Sequence, residues 1–270
     1  MRIIHCFIML LFVMACSKQV DYQLVWSDEF DYAGLPDSSK WSYDTEGNSW
    51  AWGNNELQHY TAQKAENAYV QNGHLFISAH FQEGLERPYT SARIRSKGKG
   101  DWLYGRVEVR AKLPKGKGLW PSVVMLPSEG SYGQWPLSGE IDIMEHVGYE
   151  PDSVFFAIHT EAFNHVKGTT KVKGVGLPES PSKFHNYAVE WTGNKCAFYL
   201  DDTKVYVYRK KTNATTAEWP FDKRFHIVLS LAVGGNWGGI HGIENDIFPC
   251  QMEVDYVRVY KKNNKRQRNE

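Results

Sequence analysis

The stretch Gly139–Gly148, GEIDIMEHVG, decides how the rest of the chain is read. It sets Glu140, Asp142 and Glu145 among the apolar residues Ile141, Ile143 and Met144. Side chains of a β-strand alternate between two faces, so Glu140 and Asp142 share one face, Ile141 and Ile143 the other. Glu145 is out of phase and would join the isoleucines. One extra residue near Met144, a β-bulge, restores the phase, and bulges are frequent beside active sites. Three acids on one face of an otherwise apolar strand are costly unless they have partners or a task. An edge strand with solvated acids is the plain alternative.

A retaining glycosidase needs two carboxylates in different protonation states. One is an ionised nucleophile, the other a protonated acid that later acts as base, about 5–5.5 Å away. A third carboxylate between them holds the nucleophile and keeps the acid protonated by like-charge repulsion. Spacing alone does not supply the separation, because residues five apart on a straight strand are roughly 16 Å apart. The bulge, the curvature of the strand and the reach of two Glu side chains must close the gap. A hard cation held by the three acids and His146 is a competing reading, and a weaker one, since such sites usually draw on loops.

Around this stretch the chain is a series of short alternating runs, HLFISAH (74–80), RVEVRAKL (106–113), SVFFAIHT (153–160), NYAVEWT (186–192), CAFYLDD (196–202), HIVLSLAV (226–233) and EVDYVRVY (253–260). Turn signals such as Asn72-Gly73 and Gly193-Asn194 separate them. No long segment has helical periodicity and no internal repeat is evident. Many short strands with Gly, Pro and Asn turns imply an all-β sandwich or barrel. A 270-residue chain with zero net charge can hold one such domain and shows no bulk attraction to nucleic acid. Aromatic residues make up 14% of it, with 10 Trp and 15 Tyr, more than one core requires. Amphipathic rings of this kind suit the apolar faces of sugars.

At the start, one Arg precedes an apolar run from Ile3 to Ala15, too short to span a bilayer but suited to a signal peptide. Val13-Met14-Ala15-Cys16 resembles a bacterial lipobox, which implies cleavage before Cys16 and its lipidation. The expected organisation is a signal peptide at 1–15, a lipid-anchored tether at 16–24, one domain at 25–261 and a basic disordered tail at 262–270. The expected location is the cell envelope, on the outer membrane, held by the anchor. Cys196 and Cys250 are the only cysteines left to pair, and both are expected to be buried free thiols.

GEIDIME resembles the bulged E-x-D-x-x-E signature of the laminarinases of glycoside hydrolase family 16. So do WGNNELQHYT (52–61), YTSARIRSKGK (89–99), YGRVEVRAKLPKGKGLWP (104–121), FHNYAVEW (184–191), LAVGGNW (231–237) and MEVDYVRVY (252–260) resemble further blocks, in the family's order. The resemblance implies a jelly roll of two curved antiparallel sheets with a substrate cleft on the concave face. It implies a retaining endo-β-glucanase acting on β-1,3- or mixed β-1,3/1,4-glucan, with Glu140 as nucleophile, Glu145 as acid/base and Asp142 assisting. Trp120 and Trp135 match subsite tryptophans, Asn54 and Arg95 fall in blocks that bond sugar hydroxyls, and His159 matches a cleft histidine. For Arg95 the alternative is neutralisation of the three acids. Trp237 is a weaker candidate on a glycine-rich loop. Where the family commonly has a further Trp, this chain has Ser122, Val123 and Val124, which alters one wall of the cleft.

Relatives often hold a calcium ion on the convex face, and the matching positions here are Glu29, Gly73 and Asp255; the competing reading is a surface salt bridge. Catalysis is expected to need no cofactor, the partner to be a β-glucan, and the protein to be a monomer. Agar- or carrageenan-type galactan hydrolysis, transglycosylation and a non-enzymatic lectin are the alternatives.

Overall fold

The alternating runs fold as strands where the two-residue period places them. The computed structural model describes residues 22–177 and 183–263. The first strands are β1 (Tyr22–Asp28), β2 (Ser42–Tyr43), β3 (Gln58–Tyr60), β4 (Ala68–Gln71), β5 (His74–Phe81), β6 (Tyr89–Ser91) and β7 (Arg93–Arg95). The middle of the chain forms β8 (Gly105–Lys112), β9 (Leu119–Pro127), β10 (Glu140–Glu145), β11 (Ser153–His159) and β12 (Lys171–Gly176). It ends with β13 (His185–Thr192), β14 (Lys195–Leu200), β15 (Thr203–Arg209), β16 (Phe225–Val233) and β17 (Cys250–Lys262).

Two sheets result. The larger has the order β15-β14-β13-β8-β17-β5-β6-β3, with β1 paired to β17 and β4 to β5. The smaller is β12-β11-β10-β9-β16-β7-β2. Among the described residues all strand pairings are antiparallel except β3 with β6, a departure from the fully antiparallel expectation. The larger sheet reads as period two: in β8, Val107, Val109 and Ala111 enter the core while Arg106, Glu108 and Arg110 stay outside. β16 is buried along its whole length because it is central in the smaller sheet, with the core on one face and the cleft floor on the other. Between the sheets Trp191, Phe198, Phe225, Ile141 and Leu229 belong to one cluster, each less than 2% exposed. Burying a side chain of this size stabilises by about 1.5–3 kcal/mol.

The domain is longer at both ends than its expected bounds. Tyr22–Leu24, expected in the tether, pair with Tyr260–Lys262, so Lys262 closes the last strand rather than opening the tail. The apolar-polar mixture of Tyr-Gln-Leu is a strand signal too short to read without its partner. The expected signal peptide, Cys16 and residues 264–270 lie outside the described residues. Cys196 and Cys250 are both free thiols as expected, but Cys250 is only partly buried.

Candidate active site

The smaller sheet turns its outer face to a cavity of about 400 Å³ lined from β7, β9, β10, β11, β16 and the loops around them. On β10 the expected bulge is present. Against β9 the register slips between Asp142 and Met144, and against β11 between Asp142 and Glu145. Ile141, Ile143 and Met144 are all fully buried in the core, and Glu140, Asp142 and Glu145 line the cavity together. Glycines bracket the strand for steric reasons. Gly139 has φ +86°, and a Cβ there would meet the Pro220 and Phe221 rings at 2.8 and 2.9 Å. At Gly148 a Cβ would stand 2.1 Å from the Gly116 carbonyl oxygen.

The two glutamates sit in different environments. Glu140 accepts a hydrogen bond at 2.7 Å from the indole Nε1 of Trp135, which fixes the direction of its carboxylate. Glu145 accepts one at 3.1 Å from Nε1 of Trp120. Burial deep in the cleft, with Asp142 and then Glu140 adding like charge, nevertheless pushes Glu145 up to about 8, so it is protonated at neutral pH. Asp142 is also raised, by burial first and Glu140 second. His159 lies opposite Glu140 on β11, with Nε2 3.2 Å from Asp142 Oδ2. This contact is an ion pair, and the other ring nitrogen, His159 Nδ1, is buried with no hydrogen-bond partner. Burial disfavours the imidazolium, but Asp142, Glu140 and Glu145 outweigh it and hold His159 up at about 9. The site thus pairs one cation with one of three carboxyl groups and keeps another protonated.

Glu140, Asp142 and His159 offer donor atoms within 4.8 Å of one another, and a cation there would have to displace the His159 proton. His146 points away, its ring nitrogens at 2.8 and 3.2 Å from the Ser153 and Pro114 carbonyls.

The model of glycosyl hydrolases family 16 matches residues 43–258. The chain belongs to that family. A β-glucanase of Rhodothermus marinus is 48% identical, over 91% of this chain and 87% of its own. The crystal structure of the laminarinase from Rhodothermus marinus superposes with a TM-score of 0.87 at 46% identity, covering 91% of this chain and 100% of that one. A mutant of a non-specific endo-β-1,3(4)-glucanase of family 16, co-crystallised with 1,3-β-D-cellotriosyl-glucose and presenting a cellobiosyl-glucose at its active site, gives 0.85 at 42% identity, covering 90% of this chain and 95% of that one.

Within this family 16 cleft, Asn54, Trp120, His159 and Trp237 line the cavity with the acids. Trp237 packs edge-on against both Trp120 and Phe155, with ring centroids 5.4 and 5.0 Å away. Trp135 stands at the rim, 40% exposed, with its ring against His159 and His165. Arg95 is placed otherwise. It ion-pairs with Asp44 at 3.2 Å and Glu46 at 2.7 Å, and Arg93, two residues earlier on the same face, lines the cavity instead. Arg93 pairs with Asp44 as well, so neutralisation of the three acids falls to His159. The expected calcium donors are engaged too. Glu29 accepts from Arg258 at 2.7 and 3.0 Å, and Asp255 accepts from Arg110. As placed, this set does not fit a calcium ion, because a guanidinium occupies each carboxylate.

Ser122, expected in an altered wall of the cleft, lines the cavity, as do Glu56, His165, Ser230 and Asn236, which the sequence reading did not single out. Ser122 and Ser230 are register partners on β9 and β16 with their hydroxyls 2.9 Å apart. Glu56 stands in the WGNNELQHYT block, where a fourth acid beside an Asn is the available signal.

Proposed function

We propose that this family 16 hydrolase is a retaining endo-β-glucanase acting on internal links of β-1,3- or mixed-linkage glucan. The observation that carries the reading is the unequal pair in one cleft, Glu140 held by the Trp135 indole and Glu145 kept protonated by burial and by Asp142. Glu140 attacks the anomeric carbon while Glu145 gives its proton to the departing glycosidic oxygen. The glycosyl ester on Glu140 is then cleaved by water, whose proton returns to Glu145. Asp142, between them on the strand and paired with His159, supplies like charge that helps keep Glu145 protonated. An open cleft with tryptophans at both carboxylates supports internal attack. Similarity to β-glucanases and laminarinases supports glucan as the substrate class.

The test is a product profile of the purified domain on laminarin, barley mixed-linkage glucan and cellulose. Oligosaccharides from laminarin, at rates equal to or above those on barley glucan, are expected for a laminarinase. Preference for barley glucan assigns a mixed-linkage enzyme. Cleavage of agar or carrageenan instead would replace the substrate class, and binding without cleavage would make the protein a lectin. Anchoring through Cys16 is proposed separately from its sequence context, and a mature amino terminus at any other residue would refute it.

A further inference from the structure

Glu56 is a fourth carboxyl group in the cleft, and the mechanism does not use it. It lies between two amides. Nδ2 of Asn54 donates to its Oε1 at 3.2 Å, and Nε2 of Gln58 donates to its Oε2 at 2.6 Å. Gln58 is 2% exposed and its own Oε1 accepts the backbone N–H of Val233 at 2.7 Å. Burial pushes the Glu56 carboxyl up, and Gln58, Asn54 and Arg93 pull it back towards the ionised form.

Both amides turn their NH2 groups to the Glu56 oxygens. That leaves the carbonyl oxygen of Asn54 as the end of the amide not engaged by Glu56, on a side chain that lines the cavity. We infer that Glu56 is a positioning residue that fixes the Asn54 amide with its oxygen, not its nitrogen, presented to a hydroxyl donor of the bound glucan. The inference rests on the glucanase reading and on Asn54 as a sugar contact.

The donor logic makes a sharp test. In Glu56→Gln the new NH2 must face one of two amides that already donate. Gln58 cannot turn over without leaving the buried Val233 N–H unpaired, which is expensive. Asn54, half-buried at the cleft, turns instead and offers its NH2 to a position where an acceptor belongs. In the double variant Glu56→Gln with Gln58→Glu the chain of bonds closes again. The amide introduced at position 56 accepts from Asn54 and donates to the carboxylate introduced at position 58. That carboxylate also accepts the Val233 N–H, and the Asn54 oxygen faces the cleft as before. The negative charge is retained in the network.

The experiment measures kcat and KM on laminarin for the wild type, Asn54→Ala, Glu56→Gln and the double variant, with the melting temperature of each. Glu56→Gln and Asn54→Ala are expected to raise KM roughly three- to tenfold with kcat changed less than about twofold, since one ground-state hydrogen bond is lost. The double variant is expected to return KM to within about twofold of wild type. If Asn54→Ala raises KM and Glu56→Gln does not, Glu56 does not set the amide and the proposal falls. A double variant as impaired as the single one, or losses in kcat that follow melting temperature, overturn it as well. An unchanged KM in Asn54→Ala removes the sugar contact and the proposal with it. A wild type inactive on laminarin and barley glucan fails at the earlier step, the glucanase reading itself.

Discussion

Replacing Glu145 by Gln should destroy turnover and raise stability, and the second effect is the sharper test of its environment. In the fold Glu145 is raised from the ordinary 4.5 to about 8. A group whose folded value is raised contributes stability that is fully present below pH 4.5 and is lost as pH climbs through 8. Between pH 4.5 and 7 each pH unit costs roughly 1 kcal/mol or a little more, a few kcal/mol in all. Water in the cleft screens part of this, so about 2–3 kcal/mol is expected. Gln does not titrate, keeps the side-chain shape, and can accept the Trp120 indole bond through its Oε1. At pH 7 the variant should melt about 4–12 °C above the wild type, using about 2–4 °C per kcal/mol for a domain of this size. The gap should close by about pH 4.5. Turnover on glucan should fall about 10²- to 10⁴-fold, the usual contribution of a general acid. Calorimetry of both proteins across about pH 4.5–8 is the assay. A gap that is absent at neutral pH, or equal at neutral pH and at the acid end, would refute the raised acid.

The alkaline limb of kcat/KM reports the same proton. Asp142→Asn removes a like charge and should move that limb down, by about one pH unit. His159→Gln removes a cation that lowers Glu145, so it should move the limb up; a shift in the wrong direction in either variant breaks the assigned charges. Trp120→Phe keeps a ring but loses the donor, and should also move the limb up. Chelation with EDTA should leave the melting temperature unchanged, because Arg258 and Arg110 already neutralise Glu29 and Asp255. A fall that calcium reverses would restore the metal site. Cys196, fully buried and with its thiol pushed far up, should react with thiol reagents only after unfolding, as a timed modification assay would report.

The strand that carries the chemistry was legible because its pattern contains a contradiction. Glu145 breaks the alternation that Glu140 and Asp142 begin, and one extra residue is the cheapest repair. Alternation also placed Arg93 and Arg95 on one face, but period two says nothing about where along a strand the cavity begins. The choice between them depended on Asp44 and Glu46 arriving from another segment. Glu56 was hidden for the same reason. Its meaning comes from the NH2 groups of Asn54 and Gln58, and Gln58 is oriented by Val233, 175 residues away. Asn236 and His165 come from loops, where no periodicity exists to predict direction. The end strands were cut short because Tyr22–Leu24 has a partner only at the opposite end of the chain.

The position of β17 has a consequence for how the molecule is made. The last described strand, β17, does not join at an edge: β8 flanks it on one side, β5 and then β1 on the other. Until it is in place, the larger sheet is three pieces, β15-β14-β13-β8, β4-β5-β6-β3 and β1 by itself, and their open edges invite wrong partners. The larger sheet therefore closes through non-local pairing. The topology also makes β17 intolerant of trimming: loss of Val257–Lys262 would remove every residue to which β1 pairs.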